Sequence, residues 1–124
     1  MIQYEDLNEE QVAYLTNGCG NKFVRVPDLD FGNACRWHDF AYWRGRTKED
    51  RYYADRHWYE LMLKAISKQG WMTRIILRAA ALIYYRAVRV GSGRFFYYGA
   101  SYKTTMDLEI EMSVAKLKLT GSGG

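Results

Sequence analysis

Between Ala34 and Lys68 the chain reads as two amphipathic helices separated only by Gly45-Arg46-Thr47. A connection that short makes them antiparallel neighbours, so they form the core of whatever this chain folds into. Asn33 is expected to cap the first, from Ala34 to about Arg44, and Gly45 to end it. Thr47, with the acid Asp50 at the third helical position, signals the start of the second, which runs to about Lys68. At about 100° per residue, Ala34, Cys35, Ala41 and Tyr42 fall within about 60° of His38. The imidazole therefore stands at the centre of an apolar face, with Asp39 about 100° round at its edge. On the second helix the apolar stripe is Ala54, Trp58, Leu61, Met62 and Ala65, and Asp55 lies about 20° from Met62. Burying a lone carboxylate or a lone imidazole is costly, so His38 and Asp55 most simply pair with each other. Such a pair either locks two helices together or forms the working groups of a catalytic site, and spacing alone leaves both readings open.

The flanking segments are read from capping and turn signals. Asn8 caps a short helix to Leu15, with Glu9 and Glu10 in its first turn, where the helix dipole favours acids. Thr16 to Gly20 is a turn, and residues 21 to 31 lack a helical period and hold Pro27, so they read as loop. After Gly70, Thr73 is expected to cap a third helix, Arg74 to Val90, ended by Gly91-Ser92-Gly93. Leu108, Ile110, Met112 and Val114 alternate with polar residues, which predicts a strand paired with Phe95 to Tyr98 in a small hairpin. A helix from Thr105 to Leu117 is the rival. The expected architecture is mainly α, one domain over residues 1 to 120, with Gly121 to Gly124 as a flexible tail.

Composition excludes several classes. The chain has 124 residues, of which 48% are hydrophobic and 16% aromatic, with a single proline. That is neither a disordered nor a low-complexity sequence. No apolar run reaches the roughly 18 to 20 residues of a membrane span, because Arg78 and Arg86 interrupt Ile75 to Val90. The opening Met-Ile-Gln-Tyr-Glu-Asp-Leu has no basic n-region or apolar h-region, so no secretory signal is expected. Cys19 and Cys35 lack zinc-finger spacing and read either as a disulfide or as two small buried thiols. The charge is uneven: residues 1 to 35 carry 2 basic and 6 acidic side chains, residues 36 to 94 carry 13 and 5. An anionic partner, lipid headgroup or nucleic acid, would meet such a segment, and a merely solvated face is the alternative. Arg74, Arg78, Arg86 and Arg89 form a ridge within about 120° on the third helix. His57 lies nearly opposite the stripe of its helix and reads as a surface residue. Trp37, Phe40, Trp43, Tyr52, Tyr53 and Trp58 are split between core and surface. Trp37, Phe40 and Trp43 leave the His38 face beside Arg36, Arg44 and Arg46, an arrangement suited to a lipid interface.

Cys35-Arg36-Trp37-His38-Asp39-Phe40-Ala41-Tyr42, followed by Tyr53-Ala54-Asp55-Arg56-His57-Trp58, resembles the His-Asp helix and partner-Asp helix of secreted phospholipase A₂. With Asn17-Gly18-Cys19, Pro27-Asp28 and Phe31-Gly32, the pattern is most similar to the small bacterial and fungal branch of that superfamily. The resemblance spans about residues 17 to 90, with a weaker echo at Tyr84-Tyr85-Arg86-Ala87-Val88. It implies a disulfide between Cys19 and Cys35, and a secreted or membrane-peripheral setting at a phospholipid surface. It implies that His38 activates a water against the sn-2 ester of a glycerophospholipid while Asp55 holds the imidazole. It further implies a calcium ion bound by Asp39 and the Asn17-Gly18-Cys19 loop. Where the branch has an acid before the loop cysteine, this chain has the neutral Asn17. A catalytically weak or inactive module that binds a membrane or a protein is the alternative to a calcium-dependent esterase. The lack of any recognised nucleic-acid motif argues against a third reading, a basic nucleic-acid binder.

Overall fold

The computed structural model describes residues 1–16, 18–19 and 29–121, with residues 120 and 121 as backbone only. Residues 17, 20–28 and 122–124, and with them Asn17, Pro27, Asp28 and most of the expected tail, lie outside the described residues. The elements run in the order of a 3₁₀ turn (Tyr4–Asp6), α1 (Glu9–Leu15), α2 (Gly32–Arg44), α3 (Lys48–Ile66), α4 (Trp71–Gly91), a 3₁₀ turn (Gly93–Phe95) and α5 (Thr105–Gly121). The protein is mainly helical, and no strand occurs among the described residues.

Two of the expected caps are formed. The Asn8 side chain accepts from the backbone N–H of Gln11 at 2.9 Å, and the Gln11 side chain accepts from that of Asn8 at 2.9 Å. The Thr47 hydroxyl accepts from the Asp50 N–H at 3.2 Å while the Asp50 carboxylate accepts from the Thr47 N–H at 3.1 Å. Gly45 ends α2 with φ at 70°, and a Cβ there would collide with the backbone of Tyr97.

Two expected starts move. Asn33 does not cap α2, which begins at Gly32 after Phe31. Phe31 is fully buried and its carbonyl accepts from the Cys35 N–H at 2.8 Å, so packing of the ring, not a polar cap, fixes where the chain enters the helix. Thr73 lies inside α4, which starts at Trp71 after an extended Gly70 whose carbonyl accepts from Arg74 N–H at 2.9 Å. α3 ends at Ile66, two residues short of Lys68.

Of the two readings of the C-terminal segment the hairpin is corrected and the rival helix from Thr105 is the one formed, since residues 105–121 are helical. The Thr104 hydroxyl accepts from Asp107 N–H at 3.3 Å and the Asp107 carboxylate accepts from Thr104 N–H at 2.7 Å, a capping box that commits the segment to helix. The alternation does not sort the side chains, because Leu108 is buried while Ile110 and Val114 are exposed. Phe95 to Tyr98 runs instead beside the turn between α2 and α3. There the Arg46 N–H donates to Tyr97 O at 2.8 Å and the Gly99 N–H to Arg46 O at 2.9 Å.

The core lies between α2, α3 and α4. Phe31, Ala34, Cys35, Trp58, Met62 and Leu77 belong to one buried cluster, and Ala41, Tyr42, Ala54 and Phe96 to a second. The back of α2 is also covered, which corrects the expectation of an outward Phe40. That ring is fully buried, with Tyr4 edge-on at 6.0 Å, and Arg44 donates to the Ile2 carbonyl at 2.9 Å. Tyr52 and Tyr53 are the members of the aromatic set that stand out in solvent.

Candidate active site

α2 and α3 each present one member of the expected pair to the space between them. His38 Nε2 and Asp55 Oδ1 are 2.7 Å apart, with Asp55 fully buried and His38 only 7% exposed. An ionised carboxylate only accepts, so Nε2 carries the proton and Nδ1 keeps its lone pair. Two rings hold the imidazole: Trp58 stacks on it at 4.4 Å between centroids, and Tyr42 leans against it at 4.3 Å. His38 also lines a cleft of about 720 Å³, and with Nε2 occupied, Nδ1 is the nitrogen available to a molecule there.

Asp55 is held by more than the histidine. The Tyr42 hydroxyl donates to Oδ1 at 2.7 Å, and Arg89, from α4, donates to Oδ2 at 2.6 Å. Arg51, one turn before Asp55 on α3, sits 4.0 Å from Oδ2 and donates to the Tyr42 hydroxyl at 3.2 Å. Its guanidinium also donates to the carbonyls of Val88 and Arg89, each at 3.1 Å, tying α3 to the end of α4. Arg89 therefore does not belong to a solvated ridge with Arg78 and Arg86, which are exposed. The guanidinium turns inward because the buried carboxylate needs a cation and His38 is neutral.

These contacts set the ionisation of the site. Burial pushes the His38 imidazole below its ordinary value, against the pull of the Asp55 hydrogen bond and charge, so the neutral, basic form persists into mildly acidic solution. Burial pushes the Asp55 carboxyl up, but the bonds from His38, Tyr42 and Arg89 outweigh it and hold the group below the usual carboxylate range. Burial and the neighbouring carboxylate raise the Tyr42 phenol far above its ordinary value, so it stays a neutral donor. The result is a fixed anion, a neutral imidazole of defined tautomer and a cleft beside it, the arrangement that lets a histidine accept a proton from water.

The cleft is mostly apolar, walled by Leu15, Trp58, Val88, Phe95 and Phe96, with Lys103 among its polar residues. Asp39, Gly18 and Cys19 line it as well. Cys19 is joined to Cys35 by a disulfide, which pins the Gly18–Cys19 segment to the first turn of α2 and so beside His38 and Asp39. Asn17 lies outside the described residues. No group of three or more His, Cys, Asp and Glu able to hold a metal occurs among the described residues. The donors near His38 are thus the Asp39 carboxylate and peptide oxygens of the Gly18 segment. His57 is not part of the site. It stacks on Tyr53 at 5.7 Å and lies 3.7 Å from Glu60, half-exposed on the outer side of α3.

Helical period pairs His38 with Asp55 but does not reveal Tyr42, Arg51 and Arg89 as their supports. The Arg51–Asp55 spacing of one helical turn was a readable signal. Comparison of the chain with protein families, with curated proteins and with solved structures returns no match.

Proposed function

We propose that this chain is a lipid esterase of the phospholipase A₂ kind, hydrolysing the sn-2 ester of glycerophospholipids with a water activated by His38. The observation that carries the reading is the pairing of His38 Nε2 with a buried Asp55 beside an apolar cleft, which leaves Nδ1 as the base. Water gives a proton to Nδ1 as its oxygen adds to the ester carbonyl carbon. The imidazolium then returns that proton to the departing glycerol oxygen, releasing a fatty acid and a lysophospholipid. Asp55 stays ionised throughout, fixing the tautomer and stabilising the transient cation, and Arg89 and Tyr42 keep it in place. The cleft walls suit an acyl chain, since they are largely aliphatic and aromatic.

Calcium is supported by the donor type at hand: Asp39 lines the cleft with Gly18, and a carboxylate with peptide oxygens belongs to the hard class this cation takes. Asp39 and the carbonyls of the Asn17-Gly18-Cys19 loop would hold it. Bound there, calcium would supply an electrophile for the ester oxygen and an anchor for the phosphate. The membrane reading of the partner is supported by the surplus of cationic side chains between residues 36 and 94. The test is fatty acid release from phospholipid vesicles with calcium or with a chelator. Release that needs calcium supports the reading. None from folded protein at millimolar calcium would replace the esterase with a binding module built on the same scaffold.

A further inference from the structure

We propose that the outward face of α4 is the docking surface for an anionic lipid bilayer, with the helix lying flat in the headgroup layer. The inference rests on the lipid side of the proposed function and not on its chemistry. α4 has two apolar sides. Leu77, Ala81, Tyr84 and Val88 pack inward against the core. At about 100° per residue, Trp71, Ile75, Ile76, Leu82, Ile83 and Val90 span an arc of about 140° on the other side. All six are exposed, Ile76 at 69%, Ile83 at 65% and Val90 at 90%. Six large exposed apolar side chains on one side of a helix of 21 residues, about 30 Å, are far more than scattered surface hydrophobics would give.

Charge decides what covers it. α4 contains four arginines and no acid. Arg86 sits inside the exposed arc and Arg78 on its border, both exposed, and neither forms an ion pair with a described residue. A second copy packed face to face and antiparallel about Leu82 would set Arg78 against Arg86, like charge on like charge, with no acid on either helix to relieve it. The covering partner must therefore bring its own negative charge and accept six apolar side chains at once. An anionic bilayer does both, taking the apolar arc into its acyl boundary and the guanidinium groups at its phosphates. No helix among the described residues is long and apolar enough to cross a membrane. The location also fits, because Ala87, exposed and about 20° beyond Ile76 at the edge of the arc, lines the cleft of His38. A bilayer on this face would rest against the cleft wall.

The test is co-sedimentation of His38→Gln protein, which leaves the lipid intact, with vesicles of equal parts phosphatidylglycerol and phosphatidylcholine, or of phosphatidylcholine alone. Binding is expected on the mixed vesicles, to weaken with salt, and to fall at least about tenfold with Ile76→Glu plus Ile83→Glu. Arg78→Gln and Arg86→Gln should each weaken it about fivefold. Neither isoleucine lines the cleft, so hydrolysis of a water-dissolved short-chain phospholipid by the isoleucine variant in the His38 background should match wild type. Wild-type binding by the isoleucine variant, or no binding to the mixed vesicles, overturns the docking face. So does a lipid-free dimer that these substitutions abolish, which would assign the face to a second copy. Absence of hydrolysis with vesicle binding intact would instead sink the esterase and leave the docking face standing.

Discussion

Replacing Arg89 with methionine keeps most of the side-chain volume but removes the cation from Asp55. Deleting one partner of a fully buried ion pair costs about 3 to 5 kcal/mol. Here the cost is smaller for two reasons. The Arg89 side chain is 32% exposed, so solvent already screens it, and Arg51 waits 4.0 Å from the same oxygen. What is lost is one charge-assisted hydrogen bond of 2.6 Å, for which about 2 kcal/mol is the expected scale. In urea, with a slope of about 2 kcal/mol per molar, that moves the unfolding midpoint down by about 1 M. The pH dependence identifies the cause. Asp55 is held below its unfolded value, so its stabilisation is present above the unfolded carboxyl range, near pH 4, and disappears as pH falls through the lower folded value. The gap between wild type and Arg89→Met should therefore be widest near neutrality and narrow below about pH 4. Arg89→Lys, which keeps the charge without the fork, should fall between the two. A midpoint shift under about 0.2 M, or a gap that does not change with pH, would refute the claim that Arg89 compensates the buried carboxylate.

Asp55→Asn should lower turnover less than His38→Ala, because an amide can still accept from Nε2, yet it should also cost stability as Arg89 and Arg51 lose their counter-charge; equal turnover at matched folded fraction would make the pair purely structural. Asn17→Asp should tighten calcium binding and Asp39→Asn should weaken it, since ligand charge largely sets affinity, and calorimetric titration of both against wild type reads the difference. Replacing both Cys19 and Cys35 with serine opens a disulfide of sequence separation 16, for which about 3 kcal/mol of stability is expected to be lost in urea unfolding.

Much of the candidate site is legible in the sequence because it is local. The His38 face and the Asp55 border follow from helical period, and Gly45 with the Thr47–Asp50 box sets the two helices side by side. What escapes is decided by tertiary demand. Arg89 reads as one of four similar arginines on α4, and only the location of a buried carboxylate across the interface singles it out. The start of α2 is misread because the burial of Phe31 outranks the capping preference of Asn33. Residues 105–121 alternate like a strand, but Thr104 and Asp107 close a capping box, a signal of equal range that the alternation masks. Phe40 and Arg44 read as outward because the cover they meet, Tyr4 and Ile2, comes from a part of the chain with no periodic signal of its own.

The proposed chemistry requires one proton acceptor, His38, acting on one ester. Phospholipid carrying different isotopic labels in its two acyl chains, given to wild-type and His38→Gln protein with calcium present, measures both at once. Wild type should release only the sn-2 chain, and His38→Gln, with unchanged helical circular dichroism, should release none. Release by His38→Gln at the wild-type rate, or release of the sn-1 chain by wild type, would contradict the proposed chemistry.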